Sequence, residues 1–383
     1  MSEHGKTGNK EHISTTRKIS TLNCISDQNL TLHLKNTLDP IEGSPATGKS
    51  VAGIINLFVD DLFGTGGAEM EQRSLTRLRK DFQVGSEDWN DVTFTGQRIR
   101  WIQASETGPY IEVNQDKAIE ELEEIPVERN TSEDLQCTPT MHTMYRSLLG
   151  QINWLQSRTQ FQCCYKFSRC ASKAASSTIG DVKTLNKLAR QLISQPVKLQ
   201  FWPLTGPLRI LGFPDASYRN NEDGSSQRGM VVFLAEKRER SSKDGMSYGS
   251  LVDYESQRIR KIVLSTTVAE LCSFMKCFGS CQFLRGLWMD LSGEIENIHM
   301  RTDAKNLVTT VRTIHLPEQK ETIHMISMLR KDACSGSIHD LAHIPTQICL
   351  SDCLTKASAK ADNLITAVKT RRLLDVDIHF DFR

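Results

Sequence analysis

Four carboxylates in the C-terminal half of this chain, Asp215, Glu270, Asp303 and Asp352, are of a type and in positions that suit divalent-ion chemistry. Asp215 follows an apolar run, Arg209 to Phe213, and Glu270 falls in the first turn expected of a long helical pattern. Asp303 follows the run Asn297 to Arg301, and Asp352 opens a last helical segment. Mg²⁺ and Mn²⁺ are hard cations that take oxygen ligands, and cleavage of a phosphodiester by two such ions needs several carboxylates a few ångströms apart. No single strand supplies them, so acids from the ends of distant elements must meet at one edge of a sheet. Each acid alone is as well explained as a helix cap or a turn residue. The four in this order point to a shared site.

A second motif competes for phosphate chemistry. Gly43 to Ser50 reads GSPATGKS, the phosphate-loop pattern in which backbone N–H groups cradle phosphates while Lys49 and Ser50 would reach phosphate and Mg²⁺. Such a loop follows a strand and opens a helix, whereas polar LKNTLDPIE precedes this one and an apolar, strand-like run follows it. The context therefore argues against a phosphate loop here. Basic residues Lys237, Arg238, Arg240 and Lys243, then Arg258, Arg260 and Lys261, are placed to track a phosphate backbone or, equally, to solvate a hairpin interspersed with acids. The tryptophans, Trp89, Trp101, Trp154, Trp202 and Trp288, suit core packing better than base stacking.

The elements that must position these groups follow from apolar periodicity. Residues 1–37 are polar and aperiodic, the composition of a flexible leader. GIINLFVDDLF predicts a buried strand turning at Asp60-Asp61; Ala68 to Phe82 is amphipathic, Val92 to Ile102 and Tyr110 to Val113 read as strands, and Gln115 to Glu124 as an acidic helix. Helical spacing returns over Met141 to Ser172, with a break near Thr159, and over Asp181 to Ser194. Pro196, Pro203 and Pro207 then punctuate the chain, which predicts a domain junction near residue 200. Beyond it, strands are expected at Arg209 to Phe213, Gly229 to Ala235, Arg260 to Ser265, Asn297 to Arg301 and Ile338 to Ile344. A long helix capped from Ser265, Thr266 or Thr267 runs to Leu291, for an order βββαβαβα.

Composition is that of an ordinary globular chain: 383 residues, 38% hydrophobic and 24% charged. A net charge of +1 excludes a broadly basic nucleic-acid coat and leaves only local patches. Eleven scattered cysteines without paired metal-ligand spacing, and no signal peptide, predict free thiols in a reducing, intracellular compartment, cytoplasmic or nuclear. No apolar run approaches the roughly 18 residues that span a bilayer, so no membrane association is expected.

Several segments together resemble the C-terminal part of copia-type retrotransposon polyproteins, where reverse transcriptase passes into RNase H. They are FVDDL (58–62), DFQVG with VTFTGQRI (81–99), YRSLLGQINWL (145–155) and GFPDASY with GMVVFL (212–234), then KIVLSTTVAEL (261–271), TDAKNLV (302–308) and HIPTQICLSDCLTK (343–356). The resemblance spans most of residues 38–356. It implies that Asp215, Glu270, Asp303 and Asp352 take the places of the family's RNase H metal-binding carboxylates, and that Asp60 and Asp61 take those of the palm's paired aspartates. Nothing before Phe58 resembles the fingers or the earlier palm strand, and neither Asp27 nor Asp39 sits in its motif. Leu271 replaces an aromatic, the segment after Thr313 lacks the usual basic and histidine pattern, and His343 lacks the histidine–glycine setting of cellular RNases H, so it is expected to be a surface or strand-end residue.

The resulting expectation is an α+β partial palm and helical connection (38–200), an α/β RNase H-like domain with a five-stranded mixed sheet (201–357) and a C-terminal helical tail (358–383). The activity implied is hydrolysis of the RNA strand of RNA–DNA hybrids with two Mg²⁺ or Mn²⁺ ions, leaving a 3′ hydroxyl. Polymerase activity is expected to be lost unless the remaining polymerase polypeptide or a second subunit completes the palm. The alternatives are a non-catalytic nucleic-acid-binding relic and a P-loop nucleotide hydrolase.

Overall fold

A computed structural model describes residues 15–22, 53–104, 108–237, 246–292, 294–313 and 320–374. The phosphate-loop motif, including Lys49 and Ser50, lies outside the described residues, as do Arg238, Arg240 and Lys243. The chain divides into two units, 1–111 with 291–293, and 112–290 with 294–383.

The first unit begins with β1 (Thr15–Leu22) and a hairpin of β2 (Gly53–Phe58) and β3 (Asp61–Gly66). A helical stretch follows, made of α1 (Ala68–Met70), a π turn (Glu71–Leu75) and α2 (Thr76–Asp81), then β4 (Val84–Trp89) and a second hairpin, β5 (Asp91–Phe94) with β6 (Gln97–Ala104). Four strands form a sheet in the order β2-β3-β1-β4. Part of the expected leader is therefore a strand, antiparallel to both β3 and β4. Its sequence TTRKISTL is rich in β-branched residues, and a strand whose partners lie far along the chain needs few apolar positions of its own. Strand β2 alternates rather than being buried throughout: Ile55 is enclosed with Leu62, Met70 and Leu75, while Ile54 and Phe58 face out. The stretch expected as one strand, 92–102, is a hairpin, because Thr95 and Gly96 both take positive φ (47° and 74°), the two-residue turn whose twist suits antiparallel partners.

Strand β7 (Gly108–Asn114) leads into the second unit. Its helices α3 (Asp116–Glu120), α4 (Pro139–Gln156), α5 (Cys164–Ser172) and α6 (Ile179–Ser194) precede β8 (Leu199–Phe201), β9 (Leu208–Ser217), β10 (Gln227–Glu236) and β11 (Met246–Arg258). After these come α7 (Thr266–Ser292), β12 (Asn297–Thr302), α8 (Lys305–Arg312), α9 (Ile323–Cys334), β13 (Asp340–His343), α10 (Asp362–Thr370) and β14 (Arg372–Leu374). Helix α4 starts where a sequence reading would start it, with Thr138 accepting from the Met141 N–H and Pro139 in its first turn; α6 opens on a Thr178–Asp181 capping box.

The mixed sheet has six strands, not five, in the order β13-β12-β9-β10-β11-β14. Strands β12 and β13 run parallel to their neighbours, and β9, β10, β11 and β14 alternate. Strand β9 is buried at all ten positions, as a central strand covered on both faces must be. Helix α7 comes close enough that a Cβ at Gly212 would lie 2.8 Å from the Cys281 sulfur and 2.9 Å from that of Cys277. The third strand is 246–258 rather than 260–265. The latter run has higher β propensity, yet Ile262 and Leu264 are 88% and 62% exposed, and partners for β10 are found in the more polar segment.

The core does not break near residue 200. One layer encloses Phe161, Cys164, Val197 and Leu199 with Leu211, Phe213, Val231 and Phe233 of the sheet, and with Leu364, Val368 and Leu373 of the expected tail. The helical connection and the tail thus complete the hydrophobic core of the sheet, and the prolines at 196, 203 and 207 fall on either side of β8, inside one unit. The other face packs Leu271, Phe274 and Phe278 of α7 against Ile210, Val232 and Met300. Fully buried Arg301 is neutralised across β12–β13 by Asp340 at 2.8 Å. The ten cysteines among the described residues are free thiols, and no described helix is long and apolar enough to cross a membrane.

Candidate metal centre

Asp215 lies near the C-terminal end of β9, paired with Gly229 of β10. Asp303 follows the last residue of the parallel neighbour β12, and Asp352 opens a short 3-10 turn, Asp352–Leu354. One carboxylate oxygen from each of the three lies within 4.8 Å of the others, the only such group of three potential metal-ligating residues among the described residues. Glu270 is outside this trio. It is the fifth residue of α7 rather than a first-turn residue, because Ser265 caps the helix by accepting from the Val268 N–H. It nevertheless faces the same charges: burial first, then Asp215 and Asp303, push its carboxyl well above the usual range.

Asp215 is 1% exposed. Burial, only partly offset by Lys356 and a hydrogen bond from Thr355, raises its carboxyl to about 6. Its Oδ2 accepts from the Thr355 hydroxyl, while its Oδ1 is buried without a hydrogen-bond partner. Asp303 accepts from Thr346 at 2.8 Å. Lys356 pairs with Asp352 and reaches to 3.6 Å from Asp215. Burial works against its ammonium, but Asp215 and Asp352 hold its pKa above the ordinary lysine value.

The 351–356 turn sits where it does because β10 has a glycine there. A Cβ at Gly229 would lie 2.7 Å from the Thr355 methyl and 2.8 Å from the Leu354 Cβ. Ser217 ties the turn down further by donating to the Thr355 carbonyl at 2.9 Å. Thr346, Thr355 and Lys356 were not among the expected site residues. The one signal was Lys356, four residues beyond Asp352 in SDCLTK.

Several ionised carboxylates this close, in a low-dielectric setting, repel one another and favour protonation or a bound cation. Lys356 supplies one positive charge. The unpartnered Asp215 oxygen and the hard oxygen donors of Asp303 and Asp352 fit a divalent ion. Asp60 and Asp61 belong to the first unit, Asp60 in the two-residue turn between β2 and β3 and Asp61 at the start of β3. No third acid, histidine or cysteine joins them among the described residues. His343 is the last residue of β13.

No family model and no curated protein matches this sequence. Solved structures are similar at low identity. LC11 RNase H1 in complex with an RNA/DNA hybrid, a form known from compost by a metagenomic approach, is 16% identical over 41% of this chain and 99% of its own, with a TM-score of 0.28. RNase H1 from the archaeon Halobacterium salinarum NRC-1 is 15% identical over 38% of this chain and 94% of its own, with a TM-score of 0.28. The foamy viral protease-reverse transcriptase in complex with dsDNA is 15% identical over 76% of this chain and 55% of its own, with a TM-score of 0.20. Resemblance this faint assigns neither activity nor substrate to this chain.

Proposed function

We propose that the second unit is an RNase H-type nuclease of a copia-type retroelement, hydrolysing the RNA strand of RNA–DNA hybrids, and that Asp60 and Asp61 of the first unit belong to a polymerase palm. The observation that carries this is the meeting of Asp215, Asp303 and Asp352 within 4.8 Å, with a buried Asp215 oxygen left unpartnered. Asp215, Glu270, Asp303 and Asp352 would hold two Mg²⁺ or Mn²⁺ ions. Bound there, the ions would supply an activated water and charge stabilisation for the departing 3′ oxygen.

The chain's own residues prepare that site. Thr355 and Thr346 each donate to one oxygen of an acid, Asp215 and Asp303, which restrains both carboxylates beside the cluster. Lys356 screens the repulsion between Asp215 and Asp352. Hybrid rather than base sequence would be recognised, through 2′-hydroxyls and duplex shape.

The test is cleavage of a labelled RNA–DNA hybrid with Mg²⁺ or Mn²⁺ by the wild-type protein and by Asp303→Asn. Cleavage by the wild type, lost by at least about a hundredfold in the variant, supports the nuclease. If neither cuts while both fold and bind the hybrid, the chain is a nucleic-acid-binding relic.

A further inference from the structure

A second polar site lies within the same unit. Between α5 and the loop joining β9 to β10 is a cavity of about 90 Å³ whose walls include Arg169 of α5 and Lys173, which caps its C-terminal end, Arg258 at the end of β11, and Glu222 and Asp223 of the loop. Three cations from two elements therefore converge on one small space. The carboxylates there come from the loop itself. Glu222 pairs with Arg169 and, at 2.8 Å, with Lys173; Asp223 pairs with Arg258 at 2.7 Å and accepts from the Ser225 hydroxyl at 2.6 Å.

The geometry favours an exchangeable anion over a permanent brace. All three cations and both acids remain between 32% and 57% exposed, and ion pairs so open to water are individually worth under about 1 kcal/mol. Three cations and two carboxylates line the cavity, and Asp181 also acts on Lys173. The loop that carries the acids is a short turn, with Gly224 at φ 73° and its N–H on the Asn221 carbonyl, joined to the domain at Ser217 and Gln227. These two residues pair with each other one step beyond the Asp215–Gly229 pair on the same face of the β9–β10 ladder. Two residues of strand are about 7 Å, and Gln227 lines the cavity, so the cavity opens from the same end of the β9–β10 ladder as Asp215.

We propose that this cavity binds a backbone phosphate of the strand that continues from the acidic cluster, and that Glu222 and Asp223 occupy the cations as internal stand-ins until that phosphate displaces them. The inference rests on the nuclease reading for the identity of the strand. Phosphate is the better match than a second carboxylate because it brings more acceptor oxygens to the same fork of donors, and because neutralising it releases condensed counterions from the strand.

The experiment is equilibrium binding of a labelled RNA–DNA hybrid to the full chain in EDTA, over a series of salt concentrations, for wild type, Arg169→Ala/Lys173→Ala and Glu222→Gln/Asp223→Asn. The cation variant is expected to bind about tenfold more weakly, with a slope of log K against log salt shallower by about 0.9. The acid variant, which removes the competitor and keeps the cations, is expected to bind several-fold more tightly. Unchanged affinity and slope in the cation variant, or weaker binding in the acid variant, would overturn the proposal and make the cluster a brace between α5 and the loop. Because EDTA removes the metal, the result is separate from cleavage. A wild type that binds through these cations but never cuts sinks the nuclease and leaves the phosphate site standing; a wild type that cuts with no effect of the variants does the reverse.

Discussion

At the scale of single residues, the acidic site is a repulsion held in check. Asp215 is raised to about 6 by burial, and Glu270 is raised well above the usual carboxyl range by burial and by Asp215 and Asp303. A carboxyl whose folded pKa lies above its unfolded value favours the folded state while protonated. That contribution is fully present below about pH 4, the unfolded carboxyl range, and is lost as pH rises through about 6. The metal-free protein should therefore lose about 2–3 kcal/mol between pH 4 and pH 7 from Asp215 alone, read as a falling melting temperature in EDTA once the titration of other groups is subtracted with Asp215→Asn. Mg²⁺ or Mn²⁺ should flatten the loss in the wild type and do little in the variant; a wild-type slope equal to that of Asp215→Asn would refute the assignment. Lys356 acts in the same sense from the other side. Lys356→Met should cost about 1–3 kcal/mol at pH 7 in EDTA, since two carboxylates would lose their internal cation, and added Mg²⁺ should recover most of it.

At the scale of elements, what matters is how closely the 351–356 turn lies on β10. Only hydrogen fits at Gly229, with the Thr355 methyl and the Leu354 Cβ both under 3 Å from a built Cβ. Gly229→Val should push that turn away from β10, cost about 1–3 kcal/mol in urea unfolding and weaken Mn²⁺ binding measured by calorimetry. Loss of stability with metal affinity intact would mean that the turn moves without its acid. The strand order puts Asp215 and Asp303 at adjacent ends of β9 and β12, parallel neighbours, so these two acids need only a sheet to meet, whereas Asp352 needs the turn.

At the scale of the molecule, the second unit depends on segments that flank the sheet in sequence. Phe161, Cys164 and Val197 enter its core from one side, and Leu364, Val368 and Leu373 from the other. A fragment of residues 201–357, the boundaries that prolines and motifs suggest, should therefore be unfolded or molten by near-UV circular dichroism. A fragment of residues 112–383 should fold cooperatively, because its core is complete. Equal folding of both would show that the flanking segments are additions to a self-sufficient sheet.

Much of this was legible in the amino-acid sequence. Asp215 and Asp303 stand out because an apolar run ending in Asp is both a strand end and a ligand, and the long helix from Thr266 declares itself by its cap and apolar face. Local signals failed where the partner was remote. The run Lys261 to Ser265 has the β-branched residues of a strand, but Met246–Arg258 holds the place beside β10, and 15–22 is a strand only because β3 and β4 pair with it. Thr355 reaches Asp215 across 140 residues of chain, and nothing within a window of sequence marks it. The sequence by itself marked acids at the ends of elements and the order in which those elements come, since propensity and periodicity act over a few residues. Only the tertiary structure decided that three acids share one point with a lysine between two of them, that the core runs through the supposed junction, and that a glycine makes room for the turn. Those depend on which distant surfaces exclude water together, and that is settled by packing.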